Sequence, residues 1–439
     1  MFTKEELIKT TNAKVLKDNT NVEKYAISTD TRTITNKDIY LPLKGENFNG
    51  EKFISQENIN AYFTTSDTVT EHSNFVLQVP DTKEAYLQIA QYYREKINPI
   101  TVGITGSAGK TTTKELVYSV LSQKYKTQKT FSNHNNEIGF CQTVLNMEPG
   151  TEALIVEMGM RGLGEIELIS NHLKPDYAII TNCGSAHIGR LGSLDNIAIA
   201  KCEIAKGLKS GGTFIALDQP ITKKHLQFNG DKIYYSLKDV KILECAPSYT
   251  KFIYKNKEYE LNVEGEYNVE NALSAIELGL KLSMTYEQIS AGLKSYHPIE
   301  KRWEAENIGG FNFINDSYNA NPEAMKASVK TFVELYPNPV VILGDMGELG
   351  ENSAQYHKEV GTYLSNIEKN VKYILIGEHI KEAGKELKKN GFEVHYCASN
   401  SEAACYIVEN LHESNTIFLK ASRSMKFEEI LDKIKKRDI

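Results

Sequence analysis

The chain has 439 residues, with 51 Lys and Arg against 57 Asp and Glu and a formal net charge of −6. That length supports roughly two to four domains with sizeable cores, and the negative balance argues against a general nucleic-acid binder and against an anionic membrane surface. The six cysteines are scattered without a CxxC pair, which suggests neither a disulfide framework nor a structural zinc site and fits a reducing cytoplasm; no run approaches about 18 apolar residues, so no membrane insertion is expected.

A first unit covers 1–97. It opens on a short polar helix near 5–9, which does not read as a signal peptide. A short strand ends in the polar cluster Ile27-Ser-Thr-Asp-Thr-Arg32. A strand over 39–43 runs into Lys44-Gly-Glu-Asn-Phe-Asn-Gly50, and strands recur at 61–64 and 75–79. The helix expected over 82–96 has apolar residues at Ala85, Leu87, Ile89, Ala90 and Tyr93, and Asn98-Pro99 closes it.

The middle unit, 98–296, begins with the most informative stretch of the chain. Ile100, Val102 and Ile104 read as a buried strand that breaks into Thr105-Gly-Ser-Ala-Gly109. Lys110 and Thr111 then open a helical pattern through Leu116, Val117, Val120 and Leu121. Strand, glycine-rich turn and helix start together make a phosphate cradle: the N–H groups of Gly106, Ser107, Ala108 and Gly109 and the positive end of the helix converge on an anion. Lys110 would pair with the β- and γ-phosphates, and the Thr111 hydroxyl would hold Mg²⁺. The spacing T-G-x-x-G-K-T is shorter than the usual Walker pattern, and the alternative is a tight turn with an exposed lysine. Next comes 131–139, expected as a polar loop rich in amides. Apolar strands at 151–156, 177–181 and 214–217 alternate with helices, including 198–208, which predicts a parallel α/β sheet. From 232 to 263 strand-like runs predict an antiparallel segment, and 268–282 an amphipathic helix.

The last unit, 297–439, repeats strand and helix five times: 311–315 with 322–334, 340–343 with 353–365, 373–376 with 381–388, 394–396 with 402–411, and 416–419 with 427–435. An open, mostly parallel sheet follows, with ligands expected beyond the carboxyl ends of its strands. Those ends carry Asp316-Ser-Tyr-Asn-Ala-Asn321, Gly344-Asp-Met-Gly-Glu348, Glu378-His379 and Lys420-Ala-Ser-Arg-Ser-Met-Lys426.

Polar candidates of the middle unit also follow strands. Glu157 ends the strand 151–156 and His187 lies shortly after Thr181, so both are expected on the side of the phosphate loop. Glu157 and Thr111 offer the oxygen ligands that Mg²⁺ wants; the alternative is a cap or surface carboxylate for Glu157 and an ordinary loop histidine for His187. Lys201 sits in the apolar run Ile197-Ala-Ile-Ala-Lys-Cys-Glu-Ile-Ala205. It is either paired with Glu203 or chemically altered, because burial depresses an amine's pKa and frees its lone pair. Three units with polar loops suit a nucleotide-driven joining of several substrates better than simple hydrolysis.

Thr105-Gly-Ser-Ala-Gly-Lys-Thr111, Glu157-Met-Gly, Asn182-Cys-Gly-Ser-Ala-His187 and Ala200-Lys-Cys-Glu-Ile204 resemble the central motifs of the Mur ligase family, and the likeness extends over nearly the whole chain. The resemblance implies an α/β protein of three domains: a smaller N-terminal α/β domain (1–97) for a UDP-linked precursor, a central P-loop parallel-sheet domain (98–296) for ATP, and a C-terminal Rossmann-like domain (297–439). Leu43-Lys-Gly-Glu-Asn-Phe-Asn-Gly50, Asn135-Asn-Glu-Ile-Gly139, Asp316-Ser-Tyr-Asn-Ala-Asn-Pro322 and Leu343-Gly-Asp-Met-Gly-Glu-Leu-Gly350 point to ligation of D-alanyl-D-alanine to UDP-N-acetylmuramoyl-tripeptide. Another Mur-type ligase with a different amine is the alternative. The resemblance further implies that Thr111 and Glu157 hold one Mg²⁺, that His187 helps bind a second, and that Lys201 is carbamylated and so becomes an anion suited to the metal. Lys110 would stabilise the transferring group. Thr112, Asn271, Arg302 and Asp316 would reach ATP. Ser28, Thr29, Asp30 and Arg32 with Lys44, Gly45 and Asn47 would hold the UDP-sugar, and Tyr318, Asn319 and Ser422 the dipeptide end. The chain departs from the family's pattern at Tyr267, where a His is usual, at Lys301 (Gly), Ser185 (Pro), Gly347 (Leu) and Ala421 (Gly). A cytoplasmic monomer is expected.

Overall fold

The computed structural model describes residues 1–45, 47–299, 301–367 and 370–436. The chain forms two compact units, one of Met1–Ile100 with Asn133–Leu154, the other of Thr101–Ser132 with Ile155–Ile439.

The first unit holds a six-stranded sheet in the order Phe2–Thr3, Lys24–Ser28, Asp38–Tyr40, Ala61–Thr64, Phe75–Gln78, Lys14–Asp18. Its three inner pairings are parallel and its two outer ones antiparallel. Ala61–Thr64 is buried along its whole length, as a central strand covered on both faces must be. The helix Thr82–Ile97 starts where the Asp81 carboxylate accepts the Glu84 N–H, and ends at Asn98 with φ +54, a conformation asparagine tolerates. It packs against the helices Lys4–Thr11 and Glu137–Leu145. The expected loop at 131–139 is in part helical: Asn136 Oδ1 accepts the Gly139 N–H at 2.9 Å and so caps Glu137–Leu145. The amides there serve as caps.

A six-stranded sheet, most of it in the second unit, runs Thr127–Lys129, Ala153–Glu157, Ile100–Thr105, Tyr177–Ile180, Thr213–Leu217, Asp231–Tyr235. Its strands from Ile100–Thr105 to Asp231–Tyr235 are mutually parallel. Val102, Ile104, Leu154, Ile155, Ile179, Ile180, Phe214 and Ile215 are all fully buried, which accounts for the continuous apolar runs of these strands. The segment 232–263 is expected as an antiparallel segment joined to the sheet. Asp231–Tyr235 instead extends the parallel sheet, and only Val240–Ala246, Tyr249–Tyr254 and Lys257–Leu261 form a separate antiparallel sheet.

The C-terminal sheet runs Glu304–Ile308, Phe311–Asn315, Thr416–Lys420, Pro339–Gly344, Lys372–Ile376, Glu393–Cys397. All neighbours are parallel except Glu304–Ile308, an antiparallel edge strand. Its core joins Phe313, Val340, Ile342, Ile374 and Ile417 to Ala403, Ile407 and Ile430 from the covering helices and to Phe427 from the turn before the last of them. The fold is α/β, built on parallel sheets. No helix among the described residues is long and apolar enough to cross a membrane.

Candidate active site

The register places Thr105 opposite Ile180 on the neighbouring parallel strand. The turn 106–109 and the loop after Ile180 therefore leave the sheet side by side. The second braces the first. Thr181 Oγ1 donates to the Ala108 carbonyl at 2.5 Å, the Ala108 N–H donates to Asn182 Oδ1 at 2.9 Å, and the Ser107 N–H donates to Asn182 O at 3.0 Å. The Ser107 hydroxyl donates to Gly184 O at 3.0 Å and accepts the Gly184 N–H at 2.9 Å. Gly109 has φ +77, and a Cβ there would overlap the Asn271 carboxamide; one on Gly106 would overlap the Thr181 hydroxyl. Only glycine fits either position. Gly109 offers no side-chain cap to the helix Lys110–Leu121, which leaves that helix's first N–H groups to a ligand.

Lys110 Nζ folds back onto the Gly106 carbonyl at 2.7 Å, and burial, reinforced by Arg302, pushes its amine down from the usual lysine range. Thr111 Oγ1 donates to Glu157 Oε2 at 2.9 Å and accepts from Arg302 Nη2 at 2.8 Å. Glu157 is buried at the carboxyl end of Ala153–Glu157, where its N–H donates to Thr130 Oγ1 at 3.0 Å and Lys114 Nζ lies 3.7 Å from its carboxylate. Thr112 touches the Tyr296 phenol. Asn271 lies behind Gly109 and accepts from Thr113 Oγ1 at 3.4 Å.

His187 Nδ1 is 2.5 Å from Glu348 Oε2, Arg190 Nε is 3.1 Å from Glu348 Oε1, and the Gly189 N–H donates to the Glu348 carbonyl at 3.0 Å. The His187 ring, then Arg190, hold the Glu348 carboxyl down at about 2. Glu157 meets Thr111, the chain neighbour of Lys110, and His187 meets Glu348; residues 110, 157 and 187 all stand at or beyond the carboxyl ends of strands of the same sheet.

Lys201 is only 1 % exposed. Burial, then the neighbouring Lys110 charge, pushes its amine down to about 7. The pairing with Glu203 does not form: that carboxylate accepts the Gly164 N–H at 2.8 Å and the Glu167 N–H at 3.3 Å. Among the described residues no acid forms an ion pair with Lys201.

From the C-terminal sheet, register sets Asn315 beside Leu419 and Leu343 beside Lys420, so the following loops are adjacent. The Asp316 carboxylate pairs with buried Lys420. The Arg302 guanidinium lies 3.7 Å from the centre of the Tyr318 ring, a cation–π contact that aims it at Thr111. Asn319 Oδ1 accepts the Ala320 N–H at 2.9 Å, and the Ser422 N–H donates to Asp345 O at 3.0 Å.

In the first unit, Arg32 and Asp30 form a bidentate pair (Nε–Oδ1 2.9 Å, Nη2–Oδ2 2.7 Å), and Ser28 Oγ donates to the Asp30 carbonyl at 3.1 Å. Thr29 follows the same strand half-buried. Lys44–Gly45 pairs with Phe48–Asn49, and Asn47 is exposed in the turn between them. Sequence reasoning did not single out Thr181 and Asn182, which brace the phosphate loop, nor Lys114, Glu323 and Glu348. Asn182 and Glu348 lay inside quoted motifs; Lys114 and Glu323 stand in the helices Lys110–Leu121 and Pro322–Leu335 and meet partners distant in sequence.

Residues 104–279 match the model of the Mur ligase middle domain and residues 301–423 that of the Mur ligase glutamate ligase domain. The chain is 35 % identical over 424 residues to a UDP-N-acetylmuramoyl-tripeptide–D-alanyl-D-alanine ligase of Bacillus subtilis (strain 168), covering 93 % of this chain and 92 % of that one. It is 31 % identical to the Haemophilus influenzae enzyme of the same name, over 98 % of both. Its structure resembles that of MurF from Acinetobacter baumannii, with a TM-score of 0.88, 26 % identity and 99 % of both chains covered. A MurF ligase from Thermotoga maritima in complex with ADP matches with a TM-score of 0.82 at 24 % identity, over 95 % of this chain and 98 % of that one. The chain belongs to the Mur ligase family.

Proposed function

We propose that this protein joins D-alanyl-D-alanine to UDP-N-acetylmuramoyl-tripeptide at the expense of ATP, giving ADP, phosphate and the UDP-linked pentapeptide of peptidoglycan synthesis. The observation that carries the reading is the convergence of Lys110, Thr111, Glu157 and Arg302 on one glycine-walled turn, in a chain whose relatives over nine-tenths of its length bear that activity in their names. The tripeptide carboxylate takes the γ-phosphoryl group of ATP, with ADP leaving. The free amine of the dipeptide then attacks the acyl carbon, the amide bond forms and phosphate departs.

The site's residues do what this chemistry needs. A carboxylate must approach a polyanion, and Lys110, Arg302 and the N–H groups of 106–110 offset that repulsion. Thr111 and Glu157 present hard oxygen donors side by side and fit Mg²⁺, which when bound would neutralise phosphate charge; His187 would serve a second ion. Lys201, buried, without an acid partner among the described residues and with a depressed pKa, is suited to capture CO₂ as a carbamate, which would turn a buried cation into an anion. Asn271 and Asp316 would serve the nucleotide. Ser28, Thr29, Asp30, Arg32, Lys44, Gly45 and Asn47 would hold the UDP-sugar, and Tyr318, Asn319 and Ser422 the dipeptide. The division of labour follows 1–97, 98–296 and 297–439. ATP and the UDP-linked precursor are cytoplasmic molecules, which favours a cytoplasmic enzyme, and a monomer is its proposed state.

The test is ADP release by the purified protein with substrates omitted in turn. Release is expected only with both the tripeptide precursor and D-alanyl-D-alanine. Release with neither overturns the reading, and preference for another amine makes the chain a different Mur-type ligase.

A further inference from the structure

The loop after Tyr177–Ile180 is gripped at both ends by glutamates of the C-terminal segment, Glu348 from the loop after Pro339–Gly344 and Glu323 from the helix Pro322–Leu335. Glu348 holds His187, Gly189 and Arg190 at one end. At the other, the Ser185 N–H donates to Glu323 Oε1 at 3.1 Å and the Ser185 hydroxyl to Glu323 Oε2 at 2.9 Å. A Cβ on neighbouring Gly184 would stand 3.1 Å from Glu323 Cδ, so the bare backbone there lets the carboxylate in. A proline at 185 could not make this grip, because it has neither the N–H nor the hydroxyl.

The grip has a reach on both sides. Gly184 is locked to the phosphate loop through the Ser107 hydroxyl, in both directions. Glu323 lies in the first turn of the helix Pro322–Leu335, whose cap, Asn321, closes the run carrying Tyr318 and Asn319. Phosphate loop and amine-side segment are therefore tied through short hydrogen bonds and backbone, with one long side chain in the path. We infer that Glu323 is a positioning residue for the second half of the reaction: it sets the distance between the phosphate loop, where the acyl phosphate forms, and the segment 318–321 that receives the dipeptide. This inference rests on the ligase reading above. Ser185 is its counterpart in the central sheet.

The experiment compares Glu323→Ala, Glu323→Gln, Ser185→Pro and, as a control on the same helix, Lys330→Ala. Four quantities are read: KM for D-alanyl-D-alanine, phosphate released per amide formed, ADP affinity by calorimetry, and amide hydrogen exchange over 182–190 in the free protein. A charge-assisted pair of hydrogen bonds is lost in Glu323→Ala, so the dipeptide KM is expected to rise about tenfold. Phosphate release per amide should rise with it, because the acyl phosphate waits longer for its amine and meets water. ADP affinity should change by no more than about twofold, since no group that cradles phosphate is touched. Glu323→Gln should recover most of the loss, because its carbonyl takes the Ser185 N–H and the serine hydroxyl can turn to accept from its amide. Ser185→Pro should behave like Glu323→Ala, and Lys330→Ala like the unaltered chain. Unchanged dipeptide KM and coupling in Glu323→Ala overturn the inference, as does an equal loss in Glu323→Gln. Hydrogen exchange separates this from failure of the ligase reading. Faster exchange over 182–190 in Glu323→Ala is expected with or without turnover, and its absence overturns the inference even if the unaltered protein forms no amide at all.

Discussion

At the scale of single residues the account rests on two lysines in opposite roles. Lys110 is a cation on a partly open loop, folded onto its own turn until an anion draws it away. Lys110→Ala should abolish turnover while circular dichroism and melting stay those of the parent; retained turnover would make the loop structural only. Lys201 is a buried amine without an acid partner among the described residues, with its pKa pushed down to about 7. The sign of its linkage follows. Below pH 7 both folded and unfolded chains carry the proton, and the fold bears the full cost of a buried cation. Between pH 7 and the ordinary lysine value of 10.5 only the unfolded chain holds the proton, so stability rises with pH through that window. Lys201→Met should therefore stabilise the fold at pH 6 by about 2–4 kcal/mol, a gain that fades as pH rises towards 10.5 in denaturant titrations. Turnover should vanish in Lys201→Ala and return in part with added short carboxylates; failure of that rescue would count against a carbamate.

At the scale of elements the phosphate turn is held by its neighbours, so small changes in it should act at a distance. Gly109→Ala forces a left-handed residue, which costs roughly 1–2 kcal/mol, and drives a methyl into Asn271. Its melting temperature should fall and calorimetric ADP binding should weaken more than tenfold, about 1.4 kcal/mol or more. The Glu348 contact obeys a different rule. Its carboxyl is held at about 2 against 4.5 when free, so its contribution is present above 4.5 and lost as pH falls through 2. Glu348→Gln should cost about 1 kcal/mol at neutral pH, discounted because the group is part exposed, and nothing near pH 2.

The elements also show what a single sequence discloses. Ile100–Thr105, Tyr177–Ile180 and the parallel strands of the last sheet were legible because burial on both faces demands unbroken apolar runs. Glu304–Ile308 and Lys14–Asp18 were missed because edge strands are polar: Glu-Ala-Glu-Asn-Ile and Lys-Val-Leu-Lys-Asp carry the charges that keep an edge from pairing with another chain. The helix Tyr286–Lys294 was announced by a capping box, Thr285 with Gln288, that the apolar pattern overshadowed. Of the site, the residues that touch phosphate stand in one contiguous motif and could be read directly. Thr181, Glu323 and Glu348 matter through partners far away in sequence, and only the register of two sheets brings them there.

At the scale of the molecule, Arg302 links the central and C-terminal six-stranded sheets of the second unit. Stacked on Tyr318, it donates to the same Thr111 hydroxyl that donates to Glu157. That places a cation of the C-terminal sheet where negative charge accumulates as a phosphoryl group moves. Arg302→Ala should lower kcat by about a hundredfold or more, the scale of a lost transition-state cation. The central claim is that a substrate carboxylate is phosphorylated beside Lys110 before the amine attacks. The most direct measurement uses tripeptide precursor with oxygen-18 in its terminal carboxylate, ATP and D-alanyl-D-alanine, with mass analysis of the released phosphate. Phosphate carrying oxygen-18 from the carboxylate, formed in step with amide, is the expected result; unlabelled phosphate accompanying amide formation would contradict the account.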